Sequence, residues 1–155
     1  NTENNLANLL DDLGREPEAI ALFREAIRAW SASLGPEHPR VATGLYGLYG
    51  ALADSGDLAG AEQALRASLA IDERHLPAGH PYLATDRLKL GLLLLAAGRP
   101  VDAEPELRSA LAAFRKAGAE RAGEADQAQA ALDDCLARLG KRDEATVRHT
   151  AGAAR

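Results

Sequence analysis

Leu52-Ala53-Asp54-Ser55-Gly56-Asp57-Leu58-Ala59-Gly60-Ala61 is a phrase that the chain varies along its whole length. Its first glycine has counterparts at Gly14, Gly98 and Gly140, at a constant interval of 42 residues. Each counterpart closes a similar run: Leu9-Leu10-Asp11-Asp12-Leu13-Gly14, Leu94-Leu95-Ala96-Ala97-Gly98 and Leu136-Ala137-Arg138-Leu139-Gly140. An alanine follows at the same offset after each glycine: Ala19, Ala61, Ala103 and Ala145. A fixed period of this size marks a repeat array, whose units stack to bury a continuous core. Such arrays offer a long surface for gripping a partner rather than a pocket built for chemistry.

Each unit reads as two antiparallel helices. Pro39 and Pro81 stand one period apart and open the first helix of their units. Proline is favoured at the first helical position, where its missing N–H is not needed. Leucines then recur at helical spacing: Leu45, Leu48 and Leu52; Leu90 and Leu94; Leu6 and Leu10; Leu132 and Leu136. The repeated glycine ends this helix in the left-handed conformation that only glycine adopts cheaply. A second helix follows at once, with Glu16-Pro17-Glu18 in a first turn that favours acids and proline. Its inner face carries Ala19, Leu22, Phe23, Ala26 and Ile27, matched by Ala61, Leu65, Ser68 and Leu69, then by Ala103, Leu107, Ala110 and Leu111. Alanine at a helix crossing lets two axes approach closely.

The units are joined by Leu34-Gly35-Pro36-Glu37-His38-Pro39 and Leu76-Pro77-Ala78-Gly79-His80-Pro81. The third joint keeps its length but loses His-Pro, reading Ala117-Gly118-Ala119-Glu120-Arg121-Ala122-Gly123. A looser or differently bent joint is expected there, and a polar terminal helix over about 143–151.

Composition agrees with helices. Of 155 residues, 46% are hydrophobic but only 4% aromatic, and β-branched residues are scattered. The formal net charge is −5 with no basic run, which argues against a nucleic-acid surface. No run of apolar residues is long enough to span a membrane. The single cysteine, Cys135, excludes an internal disulfide and fits a reducing compartment, so a cytoplasmic location is expected. The sequence contains no methionine, and Asn1 aligns with Thr43 inside a repeat, so a segment of a longer protein is expected.

The pattern resembles the tetratricopeptide repeat (TPR), and more narrowly its 42-residue kinesin-light-chain-like form. The resemblance rests on Asn4-Asn5-Leu6-Ala7-Asn8-Leu9-Leu10, on Leu13-Gly14-Arg15 before Glu18-Ala19, on the Phe23/Ala26 pair and on the Leu-Gly-Pro-Glu-His-Pro joint. It covers essentially the whole chain and weakens toward the C-terminus. It implies an all-α, right-handed α-solenoid of about three and a half to four helix pairs, a TPR superhelix. The repeats would fall at about 1–38, 39–80, 81–122 and 123–155, in one repeat domain. Joints of this kind with alanine-rich helices look like bacterial multi-repeat proteins, some with the array behind a serine/threonine kinase or nucleotide-binding regulatory domain.

The resemblance also implies a concave groove lined by the first helices. Carried over by position, its residues are Asn4, Asn5, Asn8, Asp11 and Asp12 in the first unit, and Thr43, Tyr46, Gly50 and Asp54 in the second. The third gives Thr85, Leu88, Lys89, Leu92 and Leu95, and the fourth Gln127, Asp134 and Arg138. Asparagine side chains both donate and accept, which suits the backbone of an extended peptide. Tyr46 with Gly50 one turn on is expected to make a notch beside an aromatic ring. Leu88, Leu92 and Leu95 form either an exposed apolar contact stripe or a surface covered by the last repeat. If the stripe is a contact surface, Leu88→Asp removes binding and leaves helicity intact. The carboxylate clamp of chaperone-tail binders maps onto Asn4, Asn8, Gly47, Thr85 and Lys89, where only Asn8 matches and Lys89 substitutes in part, so no clamp is expected.

Catalytic readings find no support in the residues. His38 and His80 recur with the joint, which marks them as capping or loop-packing residues rather than metal ligands. Asp11-Asp12 and Asp133-Asp134 are helix neighbours that point about 100° apart and form no dyad. Cys135 falls on an interior-leaning position without an activating histidine. Trp30 and Phe114 share a repeat position, either packing on the joint or forming a hydrophobic edge for self-association. No phosphate loop or nucleophile elbow occurs. The expected function is therefore a non-enzymatic protein–protein interaction scaffold without cofactors, gripping a peptide or protein segment and touching neither nucleic acid nor membrane. The alternative is a self-association or intramolecular docking module of a larger signalling protein.

Overall fold

The computed structural model describes residues 15–140. Six α-helices run through them: α1 (Glu16–Leu34), α2 (Pro39–Asp54), α3 (Leu58–His75), α4 (Pro81–Ala96), α5 (Pro100–Ala117) and α6 (Ala122–Arg138). The described residues contain no strand. The all-α helix-pair fold expected from the period is present, with α2/α3 and α4/α5 as complete pairs. The chain divides into two compact units, one ending at Ala78 and the other beginning at Gly79.

The helix ends follow from the repeated residues. Gly56, Gly98 and Gly140 all take positive φ, at 83°, 72° and 69°. After α2, the Gly56 N–H donates to the Ala53 carbonyl (3.0 Å) and the Asp57 N–H to that of Leu52 (2.9 Å). After α4, Gly98 donates to Leu95 (3.1 Å) and Arg99 to Leu94 (2.8 Å). This paired closure satisfies carbonyls that the helix leaves without partners, and it requires a left-handed residue between them.

The histidines of the joints are N-caps. The Arg40 N–H donates to His38 Nδ1 (3.1 Å), and the Tyr82 N–H donates to His80 Nδ1 (3.3 Å). Pro39 and Pro81 follow as the first helical residues. The joint without His-Pro differs, as expected. It folds into a short 3-10 turn, Ala119–Arg121, and α6 starts with no side-chain cap.

In the first unit, α1 buries Ala19, Phe23 and Ala26, and α3 buries Ala61, Leu65, Ser68 and Leu69. Phe23 fits because Gly47 on α2 has no side chain: a Cβ there would run into the Phe23 ring. The Ser68 hydroxyl donates across the pair to the Ala42 carbonyl (3.0 Å). Trp30 is half-buried and packs on Val41, Ala42 and Ile71.

In the second unit, Leu107 of α5 sits where a Cβ on Gly91 of α4 would lie 2.5 Å from its Cδ2. Phe114 is fully buried, so the aromatic edge suggested for Trp30 and Phe114 is taken up by packing within the units. Cys135 is buried as its register implies, and its thiol donates to the Pro100 carbonyl (3.1 Å).

Candidate interaction face

The first helix of each pair carries the expected contact residues, and the described ones fall into three behaviours. Asn4, Asn5, Asn8, Asp11 and Asp12 lie outside the described residues.

On α2, Tyr46 is 36% exposed and its ring lies 5.9 Å from that of Tyr49, tilted by 53°. Residues three apart on a helix are surface neighbours, so the pair forms locally. Gly50 is half-buried one turn beyond Tyr46. Tyr46 thus has a second ring beside it. Tyr49 went unnoticed in the sequence, although its spacing from Tyr46 was the available signal. Thr43 is exposed but its hydroxyl donates back to the Pro39 carbonyl (3.2 Å). Asp54 is exposed in the last turn and makes no ion pair or side-chain hydrogen bond among the described residues.

On α4, the apolar stripe is not a surface stripe. Leu88 is only 4% exposed and Leu95 only 5%, whereas Leu92 is 36% exposed. Leu88 and Leu95 are core residues, which corrects the exposed reading of the stripe. The cause is the composition of α4: besides these two it buries Leu83, Leu90, Leu93 and Leu94. A helix apolar on nearly every side is buried on nearly every side. At the Leu95 end, α6 also comes into contact with α4. Thr85 is half-buried and its hydroxyl donates to the Pro81 carbonyl (3.1 Å), and Lys89 is half-buried.

On α6, Gln127 is exposed, and Arg138 pairs with Asp134 (2.8 Å). The same guanidinium donates to the Leu95 carbonyl (2.8 Å). Arg138 therefore ties α6 to α4 instead of standing ready on an open face.

Tyr82, at the head of α4, is 65% exposed, with its ring edge-on to His80 at 5.0 Å. Asp86 is a buried carboxylate on α4 that the sequence pattern did not single out. Two groups have displaced titrations. Burial, with Glu104 and Asp134 nearby, pushes the Cys135 thiol up. The hydrogen bond from Arg121 holds the Glu124 carboxyl below its ordinary value. Among the described residues no group of histidine, cysteine and carboxylate side chains is placed to hold a metal ion, and no helix is long and apolar enough to cross a membrane.

Residues 1–74 match the profile of the Tetratricopeptide repeat family. The matched stretch is just under half of the chain. Among solved structures, the chain is similar to the nearly identical TPR-like repeats of a kinesin-light-chain-type protein from Podosopora anserina. The identity is 21% and the TM-score 0.78, over 90% of this chain and 66% of that one. A single-substitution variant of those repeats aligns at 21% identity and TM-score 0.80, over 99% of this chain and 76% of that one. This chain thus spans about two thirds to three quarters of their length. No curated protein sequence matches it. The structural likeness extends the repeat fold past the stretch that the family profile matches.

Proposed function

We propose that the array is a non-catalytic scaffold that binds a peptide or protein segment along the exposed side of its first helices. TPR repeats in general mediate protein–protein interaction. The observation that carries the reading to particular residues is the exposed Tyr46 with its Tyr49 neighbour on α2. Tyrosine supplies large contact area at low conformational cost and keeps a polar tip for a partner's backbone. On α4 the exposed apolar group is Leu92, one period after Gly50.

The test is selection of peptides from a random displayed library on the intact chain. Tyr46→Ala and Leu92→Asp should each weaken the selected peptides while circular dichroism stays unchanged. Unaltered affinity in both variants removes the proposal. A mass that rises with concentration in light scattering, with no peptide selected, favours self-association instead.

A further inference from the structure

The two histidine caps work in only one charge state of the ring. In each, Nδ1 is the acceptor: it takes the Arg40 N–H at 3.1 Å and the Tyr82 N–H at 3.3 Å. An imidazole nitrogen accepts only while it carries no proton, and in the imidazolium both ring nitrogens are donors. No turn of the ring restores an acceptor once it is protonated. The cap of α3 has no such limit, because Asp57, which accepts the Gly60 N–H at 2.9 Å, keeps its charge far into acid. Histidine is the side chain whose ordinary titration, near about pH 6.5, falls in mild acid.

The surroundings of His38 sharpen the effect. Protonation places a cation at a helix start, where positive charge is disfavoured, two residues before Arg40. Glu37 next to it is held by Arg74. Ser31-Ala32-Ser33-Leu34, the end of α1, brings no charge. The end of α3 brings Asp72, Glu73, Arg74 and His75, and neither of these acids stands free. Among the described residues the His38 imidazole makes no ion pair and no further hydrogen bond. His75 has the opposite sense: its Nδ1 lies 2.9 Å from the Ile71 carbonyl at a helix C-terminus, where a donor and a positive charge are both favoured. At His80 the residue two on is the neutral Tyr82, whose ring rests against the imidazole at 5.0 Å.

We propose that the joint at His38 is an acid-sensitive latch, closed on the first turn of α2 while the imidazole is neutral and released as it takes a proton. The cap contributes fully above the ordinary histidine value, and its contribution is lost as the pH falls below it. His80 repeats the device one period later in a weaker form. No partner enters this inference, so it stands apart from the scaffold reading.

The test compares the intact chain with His38→Asn, which keeps an acceptor at the cap and does not titrate. Both are unfolded in urea at about pH 7.5 and at about pH 5.5, on either side of the ordinary histidine value. On acidification the folded-to-unfolded ratio of the parent should fall about threefold to tenfold further than that of His38→Asn, the span for one lost N-cap. Protonation elsewhere in the chain is common to both and cancels. His80→Asn should recover less of the loss, and His75→Asn none of it, because its charge is favoured where it stands. By nuclear magnetic resonance, the Arg40 amide signal should move together with the titration of the His38 ring. Equal acid sensitivity of the parent and His38→Asn overturns the proposal. So does full recovery by His75→Asn, or an Arg40 amide that stays still while the His38 ring titrates.

Discussion

Arg138 donates from Nη1 to the Leu95 carbonyl, 2.8 Å away and 43 residues earlier in the chain. That carbonyl already accepts the Gly98 N–H at 3.1 Å, so both of its lone pairs are used. The same guanidinium holds Asp134. One side chain therefore links the closing turn of α4 to α6. Arg138→Ala should lower stability by about 1 kcal/mol, the lower range for a charged hydrogen bond because the site is partly solvated. Urea unfolding measures this. Asp134→Asn should cost less, since it leaves the bond to Leu95 in place.

Leu88 and Leu92 stand one turn apart, yet the same substitution should cost far more at one than at the other. Leu88→Asp buries a charge without a partner and should cost about 3–5 kcal/mol, enough to unfold much of the chain. Leu92→Asp places the charge on a half-open surface and should change stability by less than about 1 kcal/mol. Thermal melts of the two variants decide it. Equal melting temperatures would mean that Leu88 is not the core residue its burial indicates.

The helix boundaries were legible because each rests on local chemistry. Gly56 and Gly98 must adopt positive φ wherever the chain turns back, and proline must stand first in a helix wherever it opens one. The His-Pro joints likewise announced caps that need only neighbouring backbone. Exposure on α4 was not legible, because the period assigns a face to Leu88 and Leu95 without saying what covers that face. Arg138 shows the same limit. Its register equals that of Asp54, but its bond to Leu95 depends on where α6 lies in space. Tyr49 lies outside the groove positions that the repeat register assigns to α2, yet a ring can reach its neighbour three residues away.

Phe23 and Gly47 form a size-matched pair across α1 and α2. Two repeats later the same register positions hold Leu107 and Ala131, a smaller residue in place of the phenylalanine and a larger one in place of the glycine. Gly47→Ala should therefore cost about 1–3 kcal/mol through overpacking against the Phe23 ring. Combined with Phe23→Leu, the alanine should be tolerated. A double-mutant cycle by urea unfolding reads the coupling directly. Additive losses would show that the two positions do not share space.

His38 and His80 cap their helices through Nδ1, which accepts the N–H two residues on. Alanine at either site removes that acceptor and should lower stability by about 0.5–2 kcal/mol. Aspartate at the same site restores an acceptor and adds a favourable charge at the helix start, so His38→Asp should match or exceed the parent in a thermal melt. Restoration by aspartate separates a capping role from any role specific to the imidazole ring.

Glu124 accepts from Arg121 Nη1 at 2.6 Å in the first turn of α6. That bond, and then its backbone hydrogen bond, lowers its carboxyl pKa. A carboxylate with a depressed folded pKa contributes stability that is fully present above its unfolded value and is lost as pH falls through the folded one. The loss should therefore begin below about pH 4.3, the ordinary glutamate value. Glu124→Gln removes the titration and should flatten stability in that acid range relative to the parent, while changing little near neutrality. Cys135 behaves oppositely, since its thiol is raised by burial. A raised thiol favours the folded protein at neutral pH, and this advantage is lost as alkali ionises the unfolded chain first. In the native chain Cys135 should stay unreactive toward an aromatic disulfide reagent at neutral pH and should react at the rate of unfolding once urea is added. Immediate labelling without denaturant would show that the bond to Pro100 and the packing around it open far more easily than a buried thiol allows.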